Sequence, residues 1–141
     1  MQLASCSELF GERLPLPCTC LAVAAGGRRL AVSQGRPILV IDPQNRQRLT
    51  TLDAPAEVVD LAFDRDGTLL ASASLAEKVI HLWEPQAGKL LADLPVPSGD
   101  LRRVALSPSD RWLAALDGQG RMYLWDLNEV RARLLEVGLD W

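Results

Sequence analysis

Residues 63–84, FDRDGTLLASASLAEKVIHLWE, and residues 106–126, LSPSDRWLAALDGQGRMYLWD, are two copies of one unit. Each leaves an apolar run, passes a short turn (Asp66-Gly67 or Ser109-Asp110), and closes on Trp83-Glu84 or Trp125-Asp126. Trp83 and Trp125 stand 42 apart, and Phe63 and Leu106 stand 43 apart. Upstream, LAVAAGGRRLAVSQGRPILVID (21–42) is an eroded first copy, with Gly26-Gly27 at the turn and Ile41-Asp42 at the close. A repeat of about 42 residues predicts stacked supersecondary modules, because one such unit cannot bury both of its faces without neighbours.

Within each copy the apolar pattern has the short, alternating character of strands. First runs at 19–24, 58–63 and 102–106 are followed by second runs at 29–33, 68–73 and 111–116 and third runs at 37–42, 78–84 and 121–126. The turns between first and second runs carry residues that tolerate positive φ or bond their own backbone, as tight hairpins require. Fourth runs follow in the first two copies, RQRLTTL (46–52) and KLLADLPV (89–96). Pro55, Pro95 and Pro97 lie at their ends, which suits outer edges because proline cannot donate to a central ladder. Four antiparallel strands per unit of this length predict the blade of a β-propeller, so the fold class is all-β.

The strand-three endings HLWE and YLWD, the Asp66-Gly67 turn and the spacing make the chain resemble the WD-repeat β-propeller family over residues 11–126. The resemblance implies structural roles for Trp83, Trp125, Asp66 and Gly67. Members often carry a Gly-His pair before the first strand and an Asp before the third, joined to a Ser or Thr and the Trp by buried hydrogen bonds. Here Pro55-Ala56 and Ser98-Gly99 stand at the Gly-His positions, and Gln34-Gly35, Glu77 and Gln119 stand at the Asp position. The full network is therefore not expected, and the indole N–H groups need simpler partners.

The expected organisation is a leading segment 1–17 with an outer closing strand, blade 1 at 18–56, blade 2 at 57–100, blade 3 at 101–126 without its outer strand, and a C-terminal helix at 127–141. The leading FGERLPLP (10–17) resembles the fourth-strand segments NRQRLTTLDAP (45–55) and GKLLADLPVP (88–97). In the family such a strand joins the last blade, so Leu14 and Leu16 are the expected closing edge against Met122, Tyr123 and Leu124. Three blades fall short of the four to eight that typically close a ring. Completion by a second copy, giving six blades, or by blades of a longer propeller is expected.

After Asp126 the period changes to helical, with Leu127, Val130, Leu134 and Val137 on one stripe. Asp126 and Glu129 form an Asp variant of the capping box, and Gly138 is a natural stop. DLNEVRARLLEVGLDW (126–141) resembles the terminal helix of bacterial WD-repeat proteins, some of which follow a Ser/Thr kinase domain. The alternative reading is accordingly a C-terminal regulatory or substrate-docking piece of a larger enzyme. The helix is expected on the rim or over the last blade's edge.

Composition excludes other classes. The 141-residue chain is 48% hydrophobic with a net charge of −3, and its basic residues are scattered, contrary to a nucleic-acid surface. No stretch approaches a membrane span of about 18 apolar residues, and no secretory leader is expected. Cys6, Cys18 and Cys20 are an odd, sparse set that suits a reducing cytoplasm. His81 is the only histidine, so neither a metal cluster nor a nucleophile triad is expected, and no cofactor. Asp64, Asp66 and Asp110 read as turn carboxylates, without the spacing of a calcium loop. What remains is a non-enzymatic module that binds protein. The resemblance places the binding face on the loops near Pro17, Glu57 and Asp100 and near Leu75 and Gln119.

Overall fold

In the computed structural model, which describes residues 19–45, 47–74, 77–97 and 100–136, eleven strands are followed by one helix. The first sheet contains β1 (Cys20–Val23), β2 (Leu30–Ser33), β3 (Pro37–Asp42) and β4 (Gln47–Asp53), paired in chain order. The second contains β5 (Val58–Phe63), β6 (Leu70–Ser74), β7 (Val79–Glu84) and β8 (Lys89–Pro95), again in order. The third has only β9 (Leu101–Leu106), β10 (Trp112–Asp117) and β11 (Met122–Asp126), and α1 (Leu127–Glu136) follows directly. All pairings are antiparallel. This is the expected all-β architecture of antiparallel propeller blades with a C-terminal helix, the third sheet showing three strands among the described residues.

Opposed residues in a ladder share a face, so register decides which side chains each sheet offers its neighbours. Ala31 opposite Val40 and Ser33 opposite Ile38 turn to the second sheet, where Leu61, Phe63, Leu70 and Trp83 complete one buried cluster. On the other side of the second sheet, Ala71 opposite Leu82 and Ala73 opposite Ile80 meet Leu101, Val104, Leu113 and Ala115. Each fully buried Ile or Leu in these seams is worth about 1.5–3 kcal/mol. Strand β6 lies in the sheet flanked on both sides and buries both faces, so every residue of its LASAS is buried.

A register shift between Val40 and Ile41 recurs between Leu82 and Trp83. The same bulge at the same point of the repeat increases the twist of the outer strand in both four-stranded sheets. Gly27, Gly67 and Asp110 take the positive-φ position of the first turn in the three sheets, at 69°, 76° and 63°. Strand β6 begins two residues later than its apolar run predicts. The Asp64 carboxylate accepts from the N–H of Thr68 (2.8 Å) and Leu69 (3.1 Å) and from the Thr68 hydroxyl (2.6 Å), which holds both residues in the turn.

The helix begins at Leu127 as its sequence predicts, but in place of the expected capping box with Glu129, Asp126 Oδ1 accepts the Asn128 N–H at 3.0 Å, and Leu127 is wholly buried. Leu127 and Val130 enter the apolar cluster between the second and third sheets, so α1 covers that seam. The Val137 and Gly138 positions lie outside the described residues. No described helix is long and apolar enough to cross a membrane.

Candidate protein-interaction site

The interior polar groups sit where the repeat brings sheets together. Trp83, on β7, is buried and donates its indole N–H to Ser72 Oγ on β6 at 2.9 Å. Ser72 is the simple partner that the missing Gly-His pair leaves to the tryptophan, and two apolar neighbours in the run ASAS hid it in the sequence. His81, two residues before Trp83, is buried with Nδ1 2.5 Å from Asp93 Oδ1 on the outer strand β8. Its ring tilts against Trp83 with centroids 6.0 Å apart. The only histidine thus ties the third and fourth strands of its blade.

In the third sheet the carboxylate that matters is Asp117, which sequence reasoning missed by fixing on Gln119. Asp117 Oδ1 accepts from the N–H groups of Gln119 (2.9 Å) and Arg121 (2.8 Å), and Oδ2 accepts from the Tyr123 hydroxyl (3.0 Å). Burial alone would raise its carboxyl. The Arg121 N–H, the Tyr123 hydroxyl, the Gln119 N–H and the Arg121 charge outweigh burial and hold it below the usual carboxylate range.

The first turns of the second and third sheets carry a carboxyl pair. Burial first, then the hydrogen bond and charge of Asp64, push Asp110 up to about 7, against the pull of Arg131 and with a further push from Asp66. Arg131 on α1 lies 4.0 Å from Asp110 Oδ2. Asp64 is driven the other way: burial raises it, but the hydrogen bonds from Asp110, Thr68 and Leu69 prevail and lower it. Because folding raises the Asp110 value above its ordinary 3.8, the protonated form stabilises the fold fully below about pH 4, and this contribution is lost as pH rises through about 7. Asp110→Asn, which tolerates the left-handed backbone and keeps a donor toward Asp64, should melt higher than the native chain at pH 8 and gain less at pH 5. Thermal melts at the two pH values check this, and equal gains at both would show that Asp110 is already ionised at pH 5.

The sequence-predicted loop residues come together only in part. Glu57 is exposed, and the next residue, Val58, donates its N–H to the Gly35 carbonyl (2.8 Å), placing that connection beside the β2–β3 turn. Asp100 accepts the Gly118 N–H at 2.8 Å through its carbonyl, which sets it beside exposed Gln119. Its side chain receives Arg102 Nε at 3.1 Å. Two inter-blade connections thus lie against strand-two to strand-three turns. Pro17 and Leu75 lie outside the described residues, as do Leu14 and Leu16.

At the end of the stack, β11 has β10 as its only strand neighbour among the described residues. Met122 and Leu124 are exposed on the outward side, whereas half-buried Tyr123 turns to the interior with Trp125, their rings 6.3 Å apart. Tyr123 therefore contributes backbone, not side chain, to an outward contact. Between β8 and α1 runs an apolar groove of about 600 Å³ with Leu91, Leu94, Trp125, Val130 and Leu134 in its lining.

Comparison with known proteins agrees with this architecture. The family described as WD domain, G-beta repeat matches residues 46–84, the outer strand of one blade and the first three strands of the next. An uncharacterized WD repeat-containing protein of Synechocystis sp. is 27% identical over 110 residues, covering 77% of this chain and 32% of the relative. Centriole proteome protein 16 of Chlamydomonas reinhardtii is 39% identical over 114 residues, covering 77% of this chain and 5% of that protein. The chain thus spans no more than about a third of these curated relatives. The Cps50 (Swd1) β-propeller domain of Myceliophteria thermophila superposes with a TM-score of 0.67 at 21% identity, covering 78% of this chain and 36% of the other. That likeness speaks for the fold alone.

Proposed function

We propose, from the premise that this chain belongs to the WD-repeat β-propeller family, that it is a non-catalytic protein-interaction scaffold whose three blades complete a ring with further blades, by self-association where no others are supplied. The observation that carries this reading is the three-stranded last sheet, whose β11 edge has, among the described residues, one strand neighbour where its counterparts β3 and β7 have two. An unpaired ladder edge is a template for another strand. Segment 11–17, with Leu14 and Leu16 as its apolar contacts, supplies an outer strand of the right composition to pair with Met122–Asp126 of another copy. The exposed Glu57 and Gln119, with Asp100, form a mildly acidic loop rim for the protein partner, and the reducing cytoplasm remains the compartment that suits the cysteines.

Light scattering on the purified chain tests ring completion. A well-folded species at the monomer mass of 15.4 kDa overturns it. Replacing Leu14 and Leu16 together by Lys should weaken association about tenfold or more, whereas replacing Glu57 and Asp100 together by Ala should leave the mass unchanged. Equal behaviour of the two pairs would remove segment 11–17 from the joint.

A further inference from the structure

The outward side of the third sheet has the chemistry of a blade seam. On the second sheet, the positions that face the third are Leu69, Ala71, Ala73, Ile80 and Leu82, all buried. The matching ladder pairs, Ala71 with Leu82 and Ala114 with Leu124, Ala73 with Ile80 and Leu116 with Met122, carry this set onto Trp112, Ala114, Leu116, Met122 and Leu124. The apolar character is kept, yet Trp112 is 39% exposed, Leu116 43%, Leu124 59% and Met122 69%. At the opposite end of the stack, Leu21 and Val23 on β1 are 63% and 57% exposed. Their counterparts Leu61 and Phe63 are buried beneath the first sheet. The remaining outward residues of that end, Val32, Leu39 and Ile41, are already buried in the single chain, so the open part is the inner-strand half.

We propose that the outward face of β9–β11 is a blade-docking surface whose occupant is the β1 side of a second copy of this chain. The proposal rests on the ring-completion reading and specifies the contact: Leu116, Met122 and Leu124 of one copy cover Leu21 and Val23 of the other. It continues a seam that the chain already builds twice, and two copies give six blades, within the range that closes. The polar complement also repeats. Across the existing seams Asp60 accepts the Val104 N–H at 2.8 Å, and the Cys20 thiol reaches the Val58 carbonyl at 3.9 Å. The position equivalent to Cys20 and Asp60 on β9 is Arg103, exposed, whose guanidinium supplies donors for inner-strand carbonyls of the second copy.

The joint is head-to-tail, with different surfaces on its two sides, and this makes it testable by mixing. In sedimentation and light scattering of the full chain, Leu116→Lys/Leu124→Lys and, separately, Leu21→Lys should each dissociate at least tenfold more readily than the native chain. A mixture of the two should recover a heterodimer tighter than either variant alone, because one of its two seams is wholly native. Met122→Lys, at the most exposed position, serves as the readout if the double variant loses its near-ultraviolet dichroism. A native chain that is monomeric overturns both ring completion and this contact. A native dimer that persists in the folded face variants, or variants that gain nothing on mixing, overturns this contact alone and leaves the β11 edge as the joint.

Discussion

Trp83→Ala is expected to destabilise the protein by about 3–5 kcal/mol, the usual range for deleting a buried aromatic ring. The indole is buried in the seam between the first two sheets and packs in the cluster that includes Ile38, Val40, Leu61 and Leu70. Its removal leaves a cavity that backbone ladders on both sides prevent from collapsing, and it strands the Ser72 hydroxyl that the ring satisfies at 2.9 Å. Trp83→Phe separates these effects: most of the apolar volume stays and the donor is lost, so about 1–3 kcal/mol is expected. Urea unfolding followed by far-ultraviolet dichroism measures both. If the alanine variant unfolds within about 1 kcal/mol of the native chain, the ring is not held in this seam. A double-mutant cycle with Ser72→Ala should show a coupling of roughly 0.5–3 kcal/mol, and additivity would dismiss the hydrogen bond.

Gly67→Ala is the second large effect, expected at about 2–4 kcal/mol from left-handed strain and overpacking together. Gly67 has φ +76°, and a Cβ added there would lie 2.8 Å from Cγ and 3.0 Å from Cβ of Arg29, and 3.2 Å from Cβ of Ala24. None of these atoms is the free end of a side chain, so relief requires the first turn of blade 1 to move away from that of blade 2. Those turns are also joined by the Gly26 N–H on the Arg65 carbonyl at 3.2 Å. Gly27 is the control. It has φ +69° with nothing within 4 Å of an added Cβ, so Gly27→Ala should cost only the left-handed strain, about 1 kcal/mol. Thermal melts of the two variants should differ by several degrees, and matching melts would mean that the two turns are not in contact as described.

Gly67 marks the boundary of what the chain's order discloses. That a glycine is needed after Asp66 follows from the hairpin between two apolar runs. That Arg29, 38 positions earlier, closes over it does not. The same division runs through the polar groups. Asp126 before a helical stripe is readable as a cap because its partner is local, although the bond goes to the Asn128 N–H rather than into a box with Glu129. Ser72 as partner of Trp83, and Asp93 as partner of His81, depend on which residues the β6–β7 and β7–β8 ladders set side by side. Asp117 is not legible in the sequence because two of its donors lie in a turn whose shape the β10–β11 pairing sets and the third, the Tyr123 hydroxyl, comes from β11 itself, whereas the family resemblance points to Gln119. The Asp64 and Asp110 pair joins turns of two different blades, and each alone looks like an ordinary solvated turn carboxylate.

For the candidate site the division is sharper. Short runs, turn residues and the 42-residue recurrence specify three antiparallel sheets and the strand order within each, because hairpins are local and hydrogen bonding along a ladder obeys alternation. They do not say which face is open. Middle strands of a stack are apolar on both sides, and Ala-Ser-Ala-Ser in β6 or Ala-Ala-Leu in β10 carries no mark of the neighbour it will meet. Only the packing of sheet on sheet shows that Ile80 and Leu82 are covered while Met122 and Leu124, the same positions one repeat later, face solvent. Burial is a property of what stands next to a surface, and no periodicity along one chain records it.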